Sequence, residues 1–159
     1  MGIEIERKFK VKDTSFLKGL KGISIKQGYL YIGDKSVSRV RIIENKKAYL
    51  TVKGRTGDIS RLEFEYEIPL KDGIELLENV CLKPLIEKVR YKLPVGNHVW
   101  EIDVFEGENK GLIIAEIELE SEDEEFEKPD WAGEDVSNDE RYYNYSLVKF
   151  PYSVWDKKG

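Results

Sequence analysis

The chain has 159 residues, 36% of them charged, and a formal net charge of −5. That is the length of one domain with a real core, and its mild acidity argues against general nucleic-acid binding, which calls for a basic surface. The single cysteine, Cys81, excludes an intramolecular disulfide and fits a reducing compartment, and the single histidine, His98, excludes a His-rich zinc site.

Residues 2–11 read as a strand, with Ile3, Ile5 and Phe9 on one face and Glu4, Glu6 and Lys8 on the other. DTSFLKGL (13–20) predicts a short helix capped by Asp13 or Thr14. A strand follows over 24–32 and a turn at 33–36. Strands at 36–44 and 48–54 then form a hairpin around 45–47. Residues 54–58 are expected to be a loop and 59–70 a long strand. The spacing of Ile74, Leu77 and Val80 predicts a helix over 72–81. Cys81, among Val80, Leu82 and Leu85, reads as a small core residue. Three more strands follow at 85–93, 98–105 and 112–120. Residues 122–140 read as an acidic loop and 141–150 as a closing helix. The expected architecture is mainly β with a few flanking helices (α+β). It is a single domain over 1–159, with 129–159 as its closing segment. Eight antiparallel strands of this kind can close into a barrel, which removes exposed edges. No apolar run is long enough to span a bilayer, and the N-terminus lacks the apolar core of a signal peptide, so a cytoplasmic location is expected.

The alternation continues along the strands. Arg39 and Arg41 oppose Val40 and Ile42, and Lys53 opposes Leu50 and Val52. Arg61, Glu63, Glu65 and Glu67 oppose Leu62, Phe64, Tyr66 and Ile68. Lys88 and Arg90 oppose Val89 and Tyr91. Glu101 and Asp103 oppose Trp100, Ile102 and Val104. Glu116 and Glu118 oppose Ala115, Ile117 and Leu119. One polar face in water explains any single strand of this kind. Collectively, the polar faces are almost purely ionic and their signs are segregated by strand. If the sheet closes with its apolar face outward, the ionic face lines an interior. Charges confined there are costly unless paired, hydrated or bound.

Convergent Arg and Lys side chains suit a polyanion rich in oxygens. Carboxylates beside them make sense if they hold a hard divalent cation, Mg²⁺ or Mn²⁺, that bridges to phosphates. On this reading Glu4 and Glu6 hold metal, and Lys8 holds phosphate one strand step away.

EIERKF resembles the E-x-E-x-K signature of the CYTH superfamily, the triphosphate tunnel metalloenzymes. SRVRI, LTVKG, RLEFEYEI, IEKVRYKL, WEIDVFEG, GLIIAEIELE and WAGEDVSNDERYYN follow in the family's order over nearly the whole chain. The resemblance is strongest to the small bacterial single-domain members. It implies an eight-stranded tunnel that binds a triphosphate and divalent metal. It maps the metal carboxylates onto Glu4, Glu6, Glu116 and Glu118. The phosphate-binding cations map onto Lys8, Arg39, Arg41, Lys53, Lys88 and Arg90, with Arg61 beside them. Glu63, Glu65 and Asp103 fall on the tunnel face by parity, as further metal ligands or as salt-bridge partners that orient the cations.

The expected activity is metal-dependent hydrolysis of inorganic tripolyphosphate, ATP or another nucleoside triphosphate, with Glu4, Glu6, Lys8, Glu63 and Glu118 as the catalytic set. Besides a structural sheet protein with an ionic solvent face, three other readings compete. One is an adenylate cyclase, although no purine pocket is evident. A second is a thiamine triphosphatase that uses Trp131 or the aromatics of 142–152. The third is a binding module for polyphosphate, for which the carboxylates would be superfluous. A homodimer is compatible with an apolar barrel exterior.

Overall fold

The computed structural model describes residues 2–54 and 60–155. The expected loop at 54–58 lies outside them apart from Gly54. The strands are β1 (Gly2–Val11), β2 (Ile23–Ile32), β3 (Ser36–Ile43), β4 (Lys47–Gly54), β5 (Ser60–Ile68), β6 (Ile86–Val95), β7 (His98–Phe105), β8 (Ile113–Leu119) and β9 (Ala132–Asp135). Helix α1 spans Leu70–Asn79 and α2 spans Ser146–Lys149. The sheet runs β5-β4-β3-β2-β6-β7-β8-β1-β9, and a further β5–β1 pairing closes the first eight strands into an antiparallel barrel. The β3–β4 hairpin turns through Glu44 and Asn45 at φ 53° and 57°. Two left-handed residues in a row match the twist of the strands they join.

Outward faces are apolar, as the alternation predicts. One cluster (Val40, Ile42, Ala48, Leu77 and Cys81) lies under α1. Gly73 brings that helix close, because a Cβ there would stand 2.5 Å from the Ala48 Cβ. A second cluster, built on Phe9, Trp100, Ile102 and Ile117, is covered by Phe16, Leu17, Phe126 and Trp131. The Phe16 and Trp131 rings stack at 4.4 Å between centroids.

A third cluster occupies one end of the barrel. It joins Tyr29, Val37, Ile86, Phe105 and Ile114 of the strands to Tyr143, Tyr145, Leu147, Val148 and Trp155 of the C-terminal segment. Val37 shares strand parity with Arg39 and Arg41, and Ile86 shares it with Lys88 and Arg90. The interior is therefore ionic along part of its length and apolar where the last segment plugs it.

Three local differences from expectation have physical causes. The helix expected at 13–20 is only a 3₁₀ turn at Ser15–Leu17, ended by Gly19 at φ 89°. Its N-cap is Thr14, which makes no side-chain cap bond, and Asp13 one residue earlier accepts from the Ser15 N–H at 2.9 Å. The acidic loop contains β9, which pairs with β1 at Phe9 and Val11. Strand β5 pairs with β1 only over Gly2–Ile5, so β9 occupies the edge that β5 leaves. The closing helix reduces to α2 between 3₁₀ turns at Glu140–Tyr142 and Tyr152–Val154. Its tyrosines pack individually into the barrel end, and that packing overrides helical periodicity.

Candidate active site

Inside the barrel lies a cavity of about 250 Å³. β1 contributes Glu4, Glu6 and Lys8, β3 contributes Arg39 and Arg41, and β4 contributes Lys53. Arg61, Glu63 and Glu65 come from β5, Lys88 and Arg90 from β6, and Glu101 from β7. Glu116 and Glu118 come from β8, and Tyr29, Val37, Tyr143, Asn144 and Tyr145 complete the lining. Of the site residues named from the sequence, all line this cavity except Asp103, which is 1% exposed behind the cations, while Glu67, on the same parity of β5, is exposed outside it.

Register explains the convergence. Lys8 is the ladder partner of Glu116, and Glu6 of Glu118. Glu4 pairs with Arg61, Lys53 with Glu63, and Arg90 with Asp103. Residues paired across a ladder point to the same face, so ionic parity on each strand becomes one ionic lumen.

The charges are interleaved. The Lys8 ammonium donates to Glu6 at 3.0 Å and also to Glu116. Lys53 Nζ is 2.8 Å from Glu4 and 3.5 Å from Glu63. Arg90 grips Asp103 with two bonds, Nε to Oδ1 at 2.7 Å and Nη2 to Oδ2 at 2.9 Å. The same guanidinium reaches Glu101 at 3.2 Å and Glu116 at 3.3 Å. Lys88 Nζ sits 2.8 Å from Asp103 and donates to Asn144 at 2.9 Å. Arg41 Nε donates to Gln27 at 3.0 Å, and the Thr51 hydroxyl donates to Glu65 at 3.1 Å. The buried Arg39 Nε has no acceptor among the described residues.

Two electrostatic demands follow. Burial, with Arg90 and Arg41 crowding alongside, outweighs Asp103 and pushes the Lys88 ammonium down to about 7. Burial and the neighbouring Arg39 and Arg90 lower Arg41 to about 10. This side of the lumen has an excess of positive charge that an anion would relieve. Glu118 is in the opposite position. Burial raises its pKa, and the like charges of Glu4, Glu6, Glu63 and Glu101 raise it further. Glu6 differs because Lys8 overcomes its burial and holds it at about 2. Asp103 is likewise held at about 2, burial being outweighed by Arg90 and Lys88.

Among the described residues no three carboxylates stand together as a ready-made metal cluster, because Lys8 and Lys53 lie between them. The donor set still fits a hard divalent cation. Glu118 has no cationic partner among the described residues and is surrounded by carboxylates, which a bound cation would offset. Asp103 does not fit that role, since both its oxygens are engaged by Arg90 and Lys88. It holds Lys88 and Arg90 in place, the salt-bridge alternative for that residue.

Sequence parity missed Gln27, Tyr29 and Asn144. Gln27 and Tyr29 share a parity on β2 that is amide and aromatic rather than ionic, so no charge pattern marked it. Asn144 lies outside the strands and has no parity to read. Trp131, one expected contact for a thiamine ring, lies on the exterior against Phe16.

Similarity to known proteins agrees with this geometry. A family model described as CYTH domain matches residues 2–149. An inorganic triphosphatase of Acetivibrio thermocellus is 54% identical over 96% of this chain and 97% of its own. One from Nitrosomonas europaea is 37% identical over 91% of this chain and 96% of its own. A crystal structure described as that of an inorganic triphosphatase superposes with a TM-score of 0.64 at 32% identity, covering 93% of this chain and 95% of the other.

Proposed function

The chain belongs to the CYTH family, and from that premise we propose that it is a triphosphatase, a hydrolase that cleaves a phosphoanhydride bond of inorganic tripolyphosphate within the barrel. Relatives named for inorganic triphosphatase activity over nearly their whole length support the reading. The observation that carries it is one lumen that gathers seven Arg and Lys side chains together with Glu118, a carboxylate set among like charges.

Arg39, Arg41, Lys53, Arg61, Lys88 and Arg90, with Lys8, bind the phosphate oxygens and hold the chain in line for displacement. Glu4, Glu6 and Glu118, with Glu116 and Glu63 beside them, would hold a divalent cation, Mg²⁺ or Mn²⁺. Such a cation, when bound, neutralises charge developing on the phosphate oxygens. Water adds to one phosphorus, the bridging P–O bond breaks, and orthophosphate and pyrophosphate leave. The lumen accepts the triphosphate of ATP by the same contacts. We place the protein in the cytoplasm; among the described residues no helix is long and apolar enough to cross a membrane. A homodimer is compatible with the exposed outer Ile3, Leu62 and Tyr66 of β1 and β5.

The test is phosphate release from tripolyphosphate and, separately, ATP, with Mg²⁺ or Mn²⁺, followed together with the nucleotide product. Metal-dependent release that disappears in Glu6→Ala is the expected result. Cyclic AMP with pyrophosphate would make the protein a cyclase. Tight binding without turnover would make it a polyphosphate receptor.

A further inference from the structure

Asn144 is where the C-terminal plug hydrogen-bonds to the cationic wall, beside Tyr143, whose ring lies 5.3 Å from the Arg61 guanidinium. Its Oδ1 accepts from Lys88 Nζ at 2.9 Å and from Gln27 Nε2 at 3.1 Å. Gln27 in turn accepts from Arg41 Nε at 3.0 Å. Both ends of this relay are cationic donors, and they dictate the orientation of both amides. The backbone of the relay's anchor is itself fixed. The Asn144 carbonyl accepts from Leu147 N–H at 3.1 Å, and the Tyr143 hydroxyl before it donates to the Ser137 carbonyl at 2.7 Å.

We propose that Asn144 is a positioning residue for the triphosphate, holding Lys88 directly and Arg41 through Gln27 in the pose that receives phosphate oxygens. The inference rests on the triphosphatase reading and deepens it. Lysine has three donors. Two are taken by Asp103 and Asn144, which leaves one for a ligand oxygen. A lysine so tethered has already lost the rotamer freedom that anion binding would otherwise cost. The neutrality of the second acceptor matters as much as its position. Asp103 already balances Lys88 and Arg90; a second carboxylate at position 144 would cancel the positive excess that draws the anion. A neutral amide fixes the ammonium and leaves its charge available.

The experiment measures affinity for tripolyphosphate by calorimetry in EDTA, alongside thermal melting and metal-supported turnover of each variant. Asn144→Ala is expected to weaken binding about tenfold, the scale of a lost hydrogen bond to a charged group. Asn144→Asp, which keeps the acceptor and adds charge, is expected to weaken it further while melting like the wild type. In a Gln27→Ala/Lys88→Met background, Asn144→Ala should change affinity by less than about twofold, because its partners are gone. If that double background does not fold, Lys88→Met alone serves, and the effect of Asn144→Ala should shrink there. An undiminished effect in either background, or wild-type affinity in Asn144→Asp, overturns the proposal while leaving the triphosphatase reading intact. Wild-type protein that neither binds nor cleaves tripolyphosphate overturns both.

Discussion

Lys8 and Glu116 are direct partners across the β1–β8 ladder, and their charged ends meet inside the barrel, where the same ammonium also takes Glu6. One cation thus separates two buried carboxylates. Replacing Lys8 by Met leaves Glu6 and Glu116 facing each other without it. Breaking a buried pair costs up to about 3–5 kcal/mol, and the partial exposure of Glu6, 14% of its side chain, places this one at the lower end. Tripolyphosphate turnover should fall at least about a hundredfold, consistent with removal of a charge-stabilising group. Melting curves with and without millimolar Mg²⁺ check the structural half. The variant should be less stable than wild type and should regain more stability from the cation, and equal gains would contradict the placement of Lys8 between metal ligands.

Glu118 stands among like charges, with no ammonium of its own among the described residues. Glu118→Gln should therefore leave folding unimpaired and raise the half-saturating concentration of Mg²⁺ or Mn²⁺ by about tenfold or more, in keeping with loss of a ligand carboxylate. A metal titration of phosphate release reads this directly. An unchanged metal requirement would remove Glu118 from the ligand set.

Asp103 predicts an acid limit on stability. Burial raises its pKa, but Arg90 and Lys88 carry it down to about 2, against an ordinary value of 3.8. A depressed folded pKa contributes stability above the unfolded value, lost as pH falls toward 2. The contribution is about 2 kcal/mol. Urea midpoints between pH 5 and 2 should fall less steeply for Asp103→Asn than for wild type, from a lower starting value.

Lys88 predicts proton uptake on binding. Burial and the crowding of Arg90 and Arg41 lower its folded pKa to about 7, so above neutrality a fraction of the free protein carries it uncharged. A polyanion favours the ammonium, so binding near pH 8 should take up protons, and this group's contribution to affinity should weaken as pH rises. Calorimetry in buffers of different ionisation enthalpy measures the uptake. Lys88→Met should reduce it, and the remainder belongs to tripolyphosphate itself.

Gly73 tests the exterior independently of the lumen. An added Cβ would meet the Ala48 Cβ at 2.5 Å, so Gly73→Ala forces α1 away from β4. Overpacking of this kind costs about 1–3 kcal/mol. The melting temperature should drop while turnover per folded molecule stays within about twofold, since α1 lies outside the barrel.

The lumen was legible because a strand's period of two is strict. Once Glu4, Glu6 and Lys8 share a face with nothing apolar between them, the partner strands can be read the same way and the ladder does the rest. Aperiodic contacts were not legible. Asn144 reaches Lys88 from a segment with no regular period, and Gln27 reaches Arg41 from a strand whose inward face carries no charge. The plug left a trace that charge counting overlooks. Val37, Ile86, Phe105 and Ile114 sit on the ionic parity of their strands and break it with large apolar groups, marking the end of the lumen that something apolar must fill.

The closure of this barrel has a cost in time. Strand β1 finds β8 only after more than a hundred intervening residues, since Lys8 and Glu116 are 108 positions apart. The residues that plug the barrel end come later still. Contacts of such long range form slowly, because chain entropy is lost before they can repay it. During translation β1 waits without β8, its charged face in water and its apolar face uncovered. The fold therefore commits late, and a nascent chain stalled before β8 would offer chaperones an open sheet with β1 and β7 as its unpaired edges rather than a smaller version of the finished barrel.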